Sequence, residues 1–153
     1  MFVGGIGSKK YAKSLKKEVN IDDSVTLYEF LDKQDLIELI GISDIAIFAS
    51  ECETFGITLL ECMSAGIPIA CASKSSLPET LKDNGVYFDP NSIMDIYSAL
   101  NELLLNEFLF YQYVQPAKNE ANLYLWKNIA NDFFKYVTDR YKVYNKTFFA
   151  QRP

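Results

Sequence analysis

Ser50-Glu51-Cys52-Glu53-Thr54-Phe55-Gly56-Ile57-Thr58-Leu59-Leu60-Glu61 joins two apolar segments, and its reading decides the fold. Upstream, Ile45-Ala46-Ile47-Phe48-Ala49 reads as a short buried strand. Downstream, Ile57 to Ala65 reads as a helix. A polar turn where a strand hands over to a helix is the place where open α/β sheets bind ligands. Glu53 lies in that turn, and Thr54, Phe55, Gly56 and Ile57 are expected to supply the first helical N–H groups. Such groups have no acceptor inside the helix, and with the positive dipole end they attract phosphate. Gly56 removes a side chain, so an anion could approach the backbone closely. Glu61 is five residues beyond Gly56, roughly 7.5 Å along the axis at ~1.5 Å per residue. That matches the distance from a phosphate to the ribose of the same nucleotide, where a carboxylate could accept two hydroxyl hydrogen bonds.

The helix carrying Glu61 sharpens this reading. Leu59, Leu60, Cys62, Met63 and Ala65 make it apolar on most sides, and only Thr58, Glu61 and Ser64 form a polar stripe. A carboxylate on a buried helix needs a partner. No Lys or Arg lies between Lys33 and Lys74 to serve locally, so a ligand hydroxyl is the candidate. The plainer alternative is that Glu53 only complements a helix dipole and Glu61 is a wet surface residue.

Composition bounds the rest. A chain of 153 residues reads as one domain, residues 1–153. It is 49% hydrophobic and 23% charged, which places it among globular proteins. A net charge of -5 argues against general nucleic-acid binding. No secretory signal or membrane-length apolar run is legible. Cys52, Cys62 and Cys71 are odd in number and lack C-x-x-C spacing, so they read as free thiols of a reducing, cytoplasmic setting. There is no histidine, which removes His bases, Ser-His triads and His metal ligands together.

Outward from the central stretch, strands and helices alternate. Met1 to Gly4 and Val25 to Tyr28 read as strands, Lys9 to Lys17 and Asp32 to Ile40 as helices. Gly4-Gly5-x-Gly7 reads first as a tight strand-to-helix turn and only second as a partial phosphate-loop pattern. Lys9, Lys10, Lys13, Lys16 and Lys17 form one basic helix face, either a solvated face or a weak peripheral contact with anionic lipid at the inner membrane surface. Gly66-Ile67-Pro68 turns the chain into strand Ile69 to Ala72, Lys74 to Glu79 is a loop opening a short helix, and Gly85 to Phe88 is the last strand. From Ser92 the pattern is helical to the end, with Trp126, Ile129, Phe133 and Val137 at helical spacing, core packing as the default for that stripe and partial exposure as the alternative. The alternation predicts an α/β fold with a parallel, Rossmann-like sheet and a helical C-terminal end.

The motifs also carry a resemblance. Glu53 and Glu61, with seven residues between them that include Phe55-Gly56-Ile57, resemble the E-x7-E signature of retaining glycosyltransferases of the GT-B fold. Ser43-Asp44-Ile45, Ser64-Ala65-Gly66-Ile67-Pro68-Ile69, Leu77-Pro78-Glu79, Phe88-Asp89-Pro90 and Trp126 resemble further family signatures, in the family's order. The resemblance implies the donor half of such an enzyme, transferring a sugar from a nucleotide-sugar donor to a hydroxyl acceptor in glycan or glycolipid synthesis. Glu53 would hold sugar hydroxyls, the amides of Phe55, Gly56, Ile57 and Thr58 would bind phosphate, and Glu61 would bind ribose. No metal or other cofactor is implied. Against the family's pattern an acceptor domain and an opening strand-helix unit with an Arg and a Lys are expected to be missing. The chain alone is therefore expected not to transfer sugar. It would be completed by a partner chain or self-association, or serve as a non-catalytic nucleotide-sugar module.

Overall fold

Strand and helix alternate along the backbone from Phe2 to Phe88, as the apolar patterning requires. The computed structural model describes residues 1–3, 9–19 and 24–150, which fall into two compact units, Met1–Ile42 and Ser43–Pro153. Gly4-Gly5-x-Gly7 lies outside the described residues.

The first unit holds β1 (Phe2–Val3), α1 (Lys9–Val19), β2 (Leu27–Tyr28) and α2 (Lys33–Gly41). β1 and β2 are parallel, with Phe2 opposite Leu27 and Val3 opposite Tyr28. A parallel pair cannot be closed by a tight hairpin, and α1 supplies the crossover. α2 starts where the Asp32 carboxylate accepts from the Asp35 N–H at 2.9 Å, satisfying one of the helix's orphan donors. Lys10, Lys13 and Lys17 are exposed on α1, while Lys16 is ion-paired with Glu29 beside β2.

The second unit is built on the three-stranded parallel sheet β3 (Ala46–Phe48), β4 (Ile69–Ala72) and β5 (Val86–Phe88), in that order. Ala46 lies opposite Ile69, and Ala70 opposite Val86. β4 is central and every residue in it is buried, as expected of a parallel strand covered on both faces. α3 (Ile57–Ala65) joins β3 to β4, and α4 (Leu77–Leu81) joins β4 to β5. α5 (Ile93–Leu105) packs on β4 and β5, and α6 (Glu107–Leu123) packs on α3. The core comprises Leu59 and Met63 of α3, Ile69 and Cys71 of β4, and Leu77 and Leu81 of α4. Gly85 opens β5 against this core. A Cβ there would lie 2.6 Å from the Ile69 carbonyl oxygen, so the close approach of the two strands excludes any side chain.

Two expectations change. Ile45 to Ala49 reads as a buried strand, yet β3 borders the three-stranded sheet and its Ile47 is 47% exposed. An edge strand loses one flank of neighbours, so an apolar sequence does not guarantee burial. The helical C-terminal region divides into α5, α6 and α7 (Trp126–Ala150), and Asn106 caps α6 by accepting from the Phe108 N–H at 3.2 Å. Core packing of the Trp126, Ile129, Phe133 and Val137 stripe does not hold. Every side chain from Trp126 to Tyr144 is exposed, Trp126 by 83%, because periodicity defines a face without saying that anything covers it. Among the described residues no helix is long and apolar enough to cross a membrane.

Candidate functional site

The site loop runs from Ala49 to Gly56, between β3 and α3. Gly56 caps α3 with φ 84 and ψ 54, a left-handed conformation that L-residues with a Cβ adopt at a cost. The missing Cβ would point at Leu59 and Leu77, each 3.4 Å away, and at Glu53 Cγ, 3.7 Å away. The glycine therefore serves the turn first. The space beside it is an ordinary interior contact and not a slot opened for an anion.

The helix starts at Ile57, where its apolar run begins, but its free N–H groups start later than Thr54. Its first turn is Ile57, Thr58 and Leu59, and the Leu60 N–H closes the first bond on the Gly56 carbonyl at 3.2 Å. Thr54 and Phe55 lie upstream of it. The Thr54 N–H donates to Glu53 Oε1 at 3.0 Å, and the left-handed Gly56 stops the helix from extending further back. No side chain caps Gly56, so the orphan donors of the turn belong to residues 57–59.

Residues after β4 hold this loop. Ser75 Oγ accepts from the Glu53 N–H at 3.1 Å and donates to the Glu53 carbonyl at 2.6 Å. Ser76 Oγ donates to the same carbonyl at 2.9 Å. Thr80, only 3% exposed, donates to the Phe55 carbonyl at 3.0 Å. The Phe55 ring meets Tyr124 edge-on, with centroids 5.7 Å apart. Phe55 is thus fixed at both its carbonyl and its ring. What sequence reasoning missed is that Ser75, Ser76 and Thr80 hold the Glu53 loop. Their one local signal is the polar run Lys74-Ser75-Ser76 beside Leu77-Pro78, which says nothing of a partner more than twenty residues upstream.

Glu53 and Glu61 belong to one helix and its cap. Glu53 is half-buried over Gly56, and its Oε2 has no protein partner among the described residues. Glu61 is half-buried on the stripe with exposed Thr58 and Ser64, opposite buried Leu59, Cys62 and Met63. Among the described residues its carboxylate has no hydrogen-bond or ion-pair partner. Cys52 is exposed in the loop, whereas burial pushes the thiols of Cys62 and Cys71 up to about 12, helped at Cys62 by the neighbouring Glu61 charge. Among the described residues no group of three or more His, Cys, Asp or Glu side chains converges as a metal site.

A parallel α/β sheet with this loop between its first strand and helix belongs to the class of GT-B glycosyltransferase folds. HepE of Anabaena, solved in complex with UDP, matches with a TM-score of 0.79 over 90% of this chain and 40% of that one, at 19% identity. The C-terminal domain of the group 1 glycosyl transferase LpcC of Francisella tularensis matches with a TM-score of 0.64 over 76% of this chain and 63% of that one, at 24% identity. The chain belongs to the glycosyl transferases group 1 family, whose profile matches residues 1–122. Among curated relatives, the O-antigen chain mannosyltransferase B of Escherichia coli is 29% identical over 65% of this chain and 26% of its own length. The N-acetyl-alpha-D-glucosaminyl L-malate synthase of Bacillus anthracis is 34% identical over 62% of this chain and 25% of its own. The chain thus spans about a quarter of the length of these relatives.

Proposed function

We propose that this chain is the donor-binding part of a retaining glycosyltransferase that moves a sugar from a nucleotide-sugar to a hydroxyl acceptor in glycan or glycolipid synthesis. Residues 1–153 act as one nucleotide-sugar-binding domain in this reading. The observation that carries it is the pairing of two carboxylates along one helix and its cap: among the described residues, neither Glu53 Oε2 over the N-terminus nor the Glu61 carboxylate further along has a protein partner. A half-buried carboxylate without a protein partner is costly unless something else donates to it.

The N–H groups of Gly56, Ile57 and Thr58 face the donor diphosphate and stabilise the charge that develops on it as the leaving group departs. Phe55 serves through the backbone it fixes beside them. Glu53 accepts from hydroxyls of the transferred sugar and Glu61 from those of the ribose. No metal takes part. Acceptor positioning falls to the rest of the whole protein or to a partner chain. Exposed Lys10, Lys13 and Lys17 of α1 give weak peripheral contact with anionic lipid, each worth about 1 kcal/mol near such a surface and screened by salt.

Titration calorimetry of the chain with UDP, UDP-glucose, GDP and GDP-mannose tests the reading. One nucleoside diphosphate series should bind, more tightly with its sugar attached. Absence of binding across the panel would remove the donor site. Flotation with acidic liposomes should show association at low salt that 0.5 M salt abolishes, and no association at low salt would end the lipid contact.

A further inference from the structure

Ser75 is the residue of the site whose backbone and side chain are both out of the ordinary. Its φ is +56, in the left-handed region that residues other than glycine seldom occupy. Serine has no special tolerance for it, so the surroundings must hold it there. What holds it is the Glu53 peptide: the Ser75 hydroxyl accepts from the Glu53 N–H at 3.1 Å and donates to the Glu53 carbonyl at 2.6 Å. A hydroxyl offers one donor and two acceptor pairs, and here one side chain closes both backbone groups of one residue. Ser76 adds a second donor on that carbonyl at 2.9 Å.

The geometry points to Ser75 as a positioning residue for Glu53, an inference that rests on the reading of Glu53 as the sugar-hydroxyl acceptor. The loop carrying Glu53 has no regular structure of its own between β3 and α3. With its backbone N–H and carbonyl both clamped and its Oε1 bound to the Thr54 N–H, the Glu53 side chain holds its Oε2, without a partner among the described residues, in a defined place above the helix cap. Such a carboxylate meets a sugar hydroxyl without first losing loop freedom, which is the benefit of preorganisation. The phosphate donors lie on the Gly56 cap and first turn of α3 and depend on the helix start, not on the Ser75 hydroxyl. Losing the Ser75 hydroxyl should therefore weaken recognition of the sugar and spare recognition of the diphosphate.

Two substitutions separate the hydroxyl from the backbone. Ser75→Gly removes the hydroxyl and relieves the left-handed φ, so it folds at least as easily at that position. Ser75→Ala removes the hydroxyl and keeps the Cβ. In calorimetry on the full chain, with UDP against UDP-glucose and GDP against GDP-mannose, both variants should lose about tenfold of the affinity the sugar adds, the scale of one or two lost hydrogen bonds. Binding of the bare diphosphate should stay within about twofold. A sugar increment unchanged in Ser75→Gly, or a loss in Ser75→Ala alone, would overturn the inference, since strain and not the clamp would then be at work. A ligand-free readout keeps this failure distinct from failure of the donor reading. Amide hydrogen exchange by NMR at Glu53 should quicken by about tenfold or more in both variants, because its N–H loses its acceptor. Unchanged exchange there would overturn the positioning role even if the parent chain bound no nucleotide sugar.

Discussion

Replacing Gly56 tests the local physics on which the site rests. With φ 84 at the cap of α3, any residue with a Cβ pays the left-handed penalty, about 1–2 kcal/mol. The space is not closed, because an added Cβ would sit at ordinary distances of 3.4 Å from Leu59 and Leu77. Gly56→Ala should thus lose about 1–2 kcal/mol through conformation alone. For a chain of 153 residues that corresponds to a fall in Tm of roughly 2–8 °C. Gly56→Asn should lose less, because asparagine tolerates this region. Gly56→Val should lose more, because its β-branch adds volume against Leu77 and is poorly suited to positive φ. Gly41→Ala is the control: nothing lies within 4 Å of its missing Cβ and its φ is not positive, so no loss is expected. Thermal and urea unfolding of the set decides the matter. Equal stability of Gly56→Ala and parent, or asparagine no better than valine, would refute the argument.

Gly85→Ala should be worse than Gly56→Ala for the opposite reason, sterics against the Ile69 carbonyl that cannot swing aside, with a loss of about 1–3 kcal/mol in denaturant unfolding. Alkylation at pH 8 should label Cys52 rapidly and leave Cys62 and Cys71 intact, because only Cys52 is exposed and the two buried thiols stay protonated. Those two thiols have folded pKa values raised from 9.0 to about 12, so their contribution to stability is complete below pH 9 and is lost as pH rises from there toward 12. The Tm should accordingly fall between pH 8 and pH 10, and by less in Cys62→Ala/Cys71→Ala when referred to its own value at pH 8.

Much of the central region was legible because its punctuation is strong. Helix Ile57–Ala65 and strand Ile69–Ala72 begin and end where the sequence places them, with Gly66 and Pro68 stopping one and admitting the other. Boundaries without punctuation were not. The break at Asn106 lies between Leu103-Leu104-Leu105 and Phe108-Leu109-Phe110, apolar on both sides, so hydrophobic pattern alone runs through it. The three-residue error in the first helical N–H groups has a similar source: Thr54 has the composition of a helix start, but Glu53 Oε1 takes its N–H and Gly56 turns left-handed after it. The clamp from Ser75, Ser76 and Thr80 could not be read, since it joins residues 22 to 25 positions apart across the sheet. The stripe on α7 was legible as a face, but exposure is a tertiary property and the face stands uncovered.

The central claim of the proposed function is that the half-buried carboxylate of Glu61, without a protein partner among the described residues, takes the ribose of a nucleotide sugar. The measurement that meets it most directly is calorimetric affinity of parent and Glu61→Ala for UDP-glucose and GDP-mannose, with thermal unfolding to show that both are folded. The account predicts that the parent binds one of the two and that the variant loses about 1.5–3 kcal/mol, roughly 10- to 150-fold, the range for hydrogen bonds to a charged group. Equal affinity of a folded Glu61→Ala, or a folded parent that binds neither sugar nucleotide, would contradict it.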